Sequence, residues 1–321
     1  MSERSHAIVI GAGLGGLAAA IRLGARGYDV TVVDKLDKPG GRAYVYEDDG
    51  FVFDAGPTIV TAPFLIEELW ALCGKQLSDD VDLVPMQPYY RTRFDDGTHF
   101  DYSGDDEAMK AEIARFNPAD VEGYDRLLEA SSLLYVIGFD KLLYKSFDTV
   151  GSVIETIPDL IKGQFYRSVH SLVTRYIEHP KLRMVFSFHP LLVGGNPFTT
   201  TAVYALIAQL ERRHGVHFAM GGTGSLVTGL VSLIESQGGV IRCNAPVRRI
   251  LVEDRKAVGV ELDSGEQLRA GVVVSNADSA ATYRYLVPAE FRRRWTDRKL
   301  DNARYSMSLF VWYFGTDRQY P

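Results

Sequence analysis

The stretch His6–Asp34, HAIVIGAGLGGLAAAIRLGARGYDVTVVD, decides the fold of this 321-residue chain. An apolar run, His6–Ile10, meets Gly11, Gly13 and Gly16, and a helical pattern follows through Leu17, Ala20, Ile21 and Leu23. This is the order strand, tight turn, helix start. Gly11 permits the turn, Gly13 lets backbone approach a pyrophosphate, and Gly16 lets helix and strand pack closely. The helix N-terminus favours the phosphate's negative charge. A second strand, Asp29–Val33, ends at Asp34, where a carboxylate can accept hydrogen bonds from ribose hydroxyls. The expectation is a dinucleotide site; the competing reading is a βαβ unit whose glycines serve packing alone.

Residues 35–58, KLDKPGGRAYVYEDDGFVFDAGPT, extend the site. Arg42 can neutralise a pyrophosphate with its fixed guanidinium geometry, and Gly40 and Gly41 allow close backbone approach. Gly56 and Pro57 would hold a turn that sets backbone, with Thr58, against a planar ring. Two alternatives stay open: a surface salt bridge from Arg42 to an acidic neighbour, and a purely local cap of the Pro57 turn by Asp54.

The order acid, GGR, GF, FDAGPT resembles flavin enzymes of the amine-oxidase-like superfamily. GGRAYVYEDDGFVFDAGPTIVT from Gly40, FNPADVEGY at 116–124, FSFHPLLVGGNPF at 186–198 and VVSNAD at 273–278 resemble the bacterial-type phytoene desaturases, a carotenoid desaturase family, over essentially the whole chain. That resemblance implies FAD as cofactor and an α/β fold. Its parts would be a Rossmann-like FAD-binding domain and a substrate domain with a mixed sheet and a helical insertion. It adds Val247 as an adenine-side contact and Ala277 as a backbone position near the cofactor.

The implied division is 1–80 with 215–285 for FAD, 81–104 with 286–321 for substrate-domain strands, and 105–214 for a helical region facing substrate and membrane. The family continues past the position matched by Pro321, so the expectation is an N-terminal portion with an incomplete flavin domain. The implied activity is desaturation of phytoene to neurosporene or lycopene, with hydride passing to flavin and oxygen or a quinone as final acceptor. No side chain stands out as the proton acceptor.

A chain of roughly forty carbons would cost on the order of 30 kcal/mol to bring into water, at ~0.8 kcal/mol per methylene. A peripheral enzyme on the membrane surface is therefore expected, with a cytoplasmic location and an apolar tunnel between the helical region and the FAD domain. Other flavin substrates (another carotene, an amine, a porphyrinogen) and an inactive isoprenoid-binding protein, as in Rab GDP-dissociation inhibitors, are the alternatives.

Composition narrows the classes. A net charge of −6 argues against general nucleic-acid binding. Cys73 and Cys243 lie far apart without a CxxC pair, which indicates neither a disulfide framework nor a zinc site and fits a reducing compartment. MSERSH is too short and polar for a signal peptide. Met184–Leu210 lacks Asp, Glu, Lys and Arg, but Pro190, Gly194, Gly195, Asn196 and Pro197 interrupt it, so no spanning helix is expected.

Along the chain, a short helix opens at Pro63 and a hairpin turns at Asp95–Gly97. Helical stripes run through Phe165, Val169, Leu172, Val173 and Tyr176 and through Val203, Leu206, Ile207 and Leu210. A helix through Leu226, Leu230 and Ile234 precedes short strands with a hairpin at Asp263–Gly265. Ser306–Gly315 reads as a returning strand. The basic cluster Arg292–Lys299 is open between a lipid contact and a solvated face. His214 and His217 have no nearby partners in sequence for a metal.

Overall fold

A computed structural model describes residues 5–147 and 149–319. The chain divides into two compact units. The first comprises Met1–Val84, His217–Arg304 and Trp312–Pro321, and the second Pro85–Val216 with Tyr305–Val311.

The first unit is α/β. Its opening is β1 (His6–Ile10), α1 (Leu14–Ala25) and β2 (Asp29–Val33), followed by the hairpin β3 (Val45–Asp48) and β4 (Phe51–Asp54) and by α2 (Pro63–Leu72). After the excursion through the second unit come α3 (Thr223–Ser236), β5 (Val240–Arg242), β6 (Val247–Glu253), β7 (Lys256–Leu262), β8 (Gln267–Arg269) and β9 (Val272–Ser275). A four-stranded parallel sheet has the order β9-β1-β2-β5, with Ala7 beside Val272, His6 beside Asp29 and Thr31 beside Val240. The central strand β1 is apolar on both faces because both are covered: Ala7, Ile8 and Val9 are fully buried.

On one face Leu17, Ala20 and Ile21 of α1 pack with Leu226, Leu230 and Ile234 of α3 and with Trp70 of α2. On the other, Ile8, Ile10 and Val33 meet Ile250, Val260 and Leu262 of the antiparallel sheet β6-β7-β8. The expected turn at Asp263–Gly265 joins β7 to β8, with Gly265 at φ +87°.

The second unit is mainly helical. The strands Tyr90–Arg93 and His99–Tyr102 form the expected hairpin. Its apolar side, with Phe100 and Tyr102, packs on Met109, Ile113, Tyr124, Val169, Val173 and Phe186.

Two expectations need correction. The stripe from Phe165 to Tyr176 is not one helix, because only Val169–Val173 is helical. Ser168 bridges to Thr201 and caps the turn at Ser171 N–H, which fixes the start there. The run Ser306–Gly315 belongs to no strand among the described residues. Its β-favouring side chains need a ladder partner, and Phe310 remains 94% exposed.

Candidate dinucleotide site

The glycine loop lies at the C-terminal ends of β1 and β2, where parallel sheets accept ligands. Gly11 has φ +98°, and its N–H donates to the Val33 carbonyl at 2.8 Å. A methyl carbon placed on Gly16 would lie 1.9 Å from the Gly11 carbonyl oxygen, so only glycine lets α1 start so close to its strand. Helix α1 begins at Leu14 with no side-chain cap and no acid in its first turn. Its positive end thus has no competing carboxylate on the same turn.

Asp34 is buried, and both carboxylate oxygens are engaged. Oδ2 accepts the Ala12 N–H at 2.6 Å and Oδ1 accepts the Leu36 N–H at 2.8 Å. The carboxylate therefore holds the glycine loop to the end of β2, and each oxygen keeps acceptor capacity for a hydroxyl.

Gly40 and Gly41 lie against the glycine loop, at Ala12 and Gly13. Gly40 N–H donates to Ala12 O at 2.9 Å, and a methyl carbon on Gly41 would sit 3.0 Å from Gly13 Cα. Gly40 and Gly41 have φ +127° and +58°. The GGR turn is thus packed directly on the dinucleotide loop, which carries Arg42 beside it. Arg42 is exposed, and among the described residues no ion pair joins it to an acidic neighbour.

The FDAGPT turn abuts the same segment. Ala55 N–H donates to Tyr44 O, and a methyl carbon on Gly56 would meet Arg42 O at 1.9 Å. Gly56, Pro57 and Thr58 are exposed. Asp54 does not cap the Pro57 turn: its carboxylate accepts from Thr223 N–H at 3.2 Å and Gly224 N–H at 3.4 Å, at the start of α3. Thr223 Oγ1 in turn donates to Pro57 O.

Ala277 follows β9, with its backbone nitrogen 3.7 Å from a methyl placed on Gly11. Val247 opens β6 and packs with the cluster of Ile10 and Val33. Nearby Cys243 has its thiol pushed up in pKa by burial and then by the charge of Asp34.

The sequence reading passed over Asn276. Its backbone N–H donates to Ile10 O at 2.8 Å, and its side chain lies across Gly13, Gly15 and Gly16. A methyl on Gly15 would come within 2.7 Å of Asn276 Oδ1. The signal available was Gly15 itself, a glycine beyond the three that the fingerprint needs.

The donor set fits a dinucleotide. A helix terminus without a side-chain cap or a first-turn acid and an adjacent guanidinium suit a pyrophosphate, and a buried carboxylate at a strand end suits ribose.

The second unit holds another buried polar group, also missed. Glu211 is fully buried, accepts Tyr90 Oη–H at 2.6 Å and lies 3.2 Å from His189 Nε2. Burial and the Glu211 charge hold the Tyr90 phenol well above its ordinary pKa. This cluster pins His189, from which Leu191, Leu192 and Val193 project into solvent.

His214 hydrogen-bonds Tyr135 Oη at 3.2 Å. Among the described residues, no group of three His, Cys, Asp or Glu is placed to hold a metal ion. In the basic cluster Arg292 pairs with Asp297 at 2.6 Å, and Lys299 lies over the Trp295 ring.

Residues 14–320 match the family of flavin containing amine oxidoreductases. The chain is 48% identical to a neurosporene-forming phytoene desaturase of Cereibacter sphaeroides, over 98% of this chain and 61% of that protein. It is equally 48% identical to a lycopene-forming phytoene desaturase of a Paracoccus species, over 96% of this chain and 62% of that one. It thus spans about three fifths of the length of these curated relatives. Among solved structures, putrescine oxidase bound to putrescine superposes with a TM-score of 0.59 at 17% identity, covering 91% of this chain and 63% of the other, a likeness of fold.

Proposed function

We propose that this chain, which belongs to the flavin containing amine oxidoreductase family, binds FAD and serves the desaturation of phytoene to neurosporene or lycopene. The observation that carries this reading is the near-even likeness to desaturases of both product classes along almost the whole chain. The Rossmann-like unit supplies the cofactor site through Gly11, Gly13, Gly16, Asp34, Gly41 and Arg42. Gly56, Pro57, Thr58, Val247 and Ala277 extend it.

Bound flavin supplies a two-electron oxidant, able to take a hydride from a carbon whose neighbour loses a proton. The chain's own part is binding and orientation. The end of α1 and Arg42 hold the pyrophosphate, Asp34 takes the ribose, and Gly56 and Pro57 set backbone against the ring. The cation that develops beside existing double bonds is delocalised by the polyene, so the protein's chief tasks are to position the chain and exclude water.

In the helical unit, Met184–Leu210 carries no Asp, Glu, Lys or Arg and exposes Leu191, Leu192, Val193 and Phe198. This supports an uncharged, hydrophobic substrate. Such a substrate does not cross water, so the protein works at the cytoplasmic membrane surface, with oxygen or a quinone as the electron acceptor. Among the described residues no helix is long and apolar enough to cross a membrane.

The test is pigment analysis of a phytoene-accumulating bacterial host expressing this chain, alone and extended with the C-terminal portion of a 48%-identical relative. Coloured carotenoid from either form supports the reading. Bound FAD without colour from both would move the substrate to another class.

A further inference from the structure

Resting on that membrane-surface reading, the geometry points to one face of the helical unit, within residues 141–167, as the surface that enters the bilayer. The segment contains two short helices, Val150–Ile154 and Ile157–Lys162, and neither has a single buried residue. Val150 and Ile154 are four residues apart on one face, as are Ile157 and Ile161 on the next. All four are exposed, and Tyr144 and Phe147 beside them are 79% and 53% exposed. Helices this short do not persist in water on propensity alone.

Two ion pairs cross the segment. Lys145 Nζ lies 3.1 Å from Glu155 and Lys141 Nζ 3.1 Å from Asp159. The pairs tie Glu155, which follows the first helix, and Asp159, in the second, to lysines ahead of both helices, and the exposed apolar side chains belong to no buried cluster. An apolar patch of this extent marks an interaction surface.

Charge selects the occupant. The segment carries four cations, Lys141, Lys145, Lys162 and Arg167, against three anions, Asp148, Glu155 and Asp159, in a chain whose net charge is −6. The two described acids are paired with Lys141 and Lys145, and Lys162 is exposed beside the apolar side chains, while the partly buried Arg167 lies over the Tyr166 ring. A lipid surface bearing anionic headgroups meets both demands: acyl tails take the apolar face to a depth of roughly 5–10 Å, and headgroups take the cations. The patch lies on the unit whose uncharged Met184–Leu210 segment suits the substrate, so docking here brings that unit to the substrate's own solvent.

The experiment is flotation of the 321-residue chain with phosphatidylcholine vesicles and with vesicles containing about three parts in ten phosphatidylglycerol. The fourfold variant Val150→Gln, Ile154→Gln, Ile157→Gln, Ile161→Gln is compared with the control Tyr285→Gln, Phe291→Gln, which alters exposed apolar residues of the other unit. The expected results are stronger wild-type binding to the anionic vesicles, at least a tenfold fall in partitioning for the fourfold variant, and a change within twofold for the control. Circular dichroism checks that each variant folds.

A fourfold variant that floats like wild type overturns this surface and leaves the membrane reading standing; equal loss in the control also overturns it. Wild type that floats with neither vesicle overturns both. Independently, Phe147→Trp should show fluorescence quenching by brominated acyl chains beyond that of the native tryptophans, and no added quenching would contradict insertion at this face.

Discussion

Asp34 Oδ2 accepts the backbone N–H of Ala12 at 2.6 Å, across twenty-two residues of chain. One carboxylate thereby ties the end of β2 to the turn that precedes α1. In the proposed site the same side chain that positions the loop would also take the ribose, which would link fold to function at one group.

Gly16 sets how closely α1 leaves β1. Gly16→Ala drives a methyl onto the Gly11 carbonyl, 1.9 Å away, with an expected loss of more than about 3 kcal/mol or no soluble protein. Gly27→Ala is the comparison: nothing lies within 4 Å of the added methyl, but φ is +86°. Its cost should stay near 1–2 kcal/mol of backbone strain. Thermal melts of the two variants check the order.

Arg42 is exposed, and among the described residues no ion pair holds it. Arg42→Ala should leave the melting curve within about 0.5 kcal/mol of wild type. FAD binding should nonetheless weaken and lose part of its salt dependence. A large stability loss would show a structural role instead.

Tyr90 donates to a carboxylate that water does not reach. Tyr90→Phe removes that donor and should cost about 1.5–3 kcal/mol, the range for a hydrogen bond to a charged group. Glu211→Ala should cost more, since it also strips His189 of its partner and opens space. Urea unfolding followed by circular dichroism gives both values.

Asp106 titrates below the ordinary carboxylate range because Arg212 hydrogen-bonds it. Its folded pKa is depressed, so its stabilising contribution is complete above the unfolded value of about 3.9 and is lost as pH falls through the folded one. Half-exposed as it is, the pair should contribute no more than about 1 kcal/mol. Melts between pH 7 and 3 should show a smaller acid-side decline in Asp106→Asn than in wild type.

The parallel βαβ start was legible because the apolar period changes from run to helix at three glycines, a signal that is wholly local. The hairpins at Asp95–Gly97 and Asp263–Gly265 were legible for the same reason. What sequence did not reveal depends on distant partners. Gly40 and Gly41 pack on Gly13, Asp54 caps a helix 169 residues later, and Asn276 closes over Gly15. Ser306–Gly315 has the composition of a strand, but composition does not supply a neighbour to pair with. Glu211 looked like one more charge on a helix and is the most deeply buried carboxylate of its unit.

The most direct measurement is FAD titration of the purified chain and of Asp34→Ala, followed by flavin fluorescence, with NAD as competitor. The account predicts one FAD per chain, at least tenfold weaker binding to Asp34→Ala, and no displacement by NAD. Equal FAD affinity in the two proteins, or displacement of FAD by NAD, would contradict the assignment of this loop and carboxylate to a flavin dinucleotide.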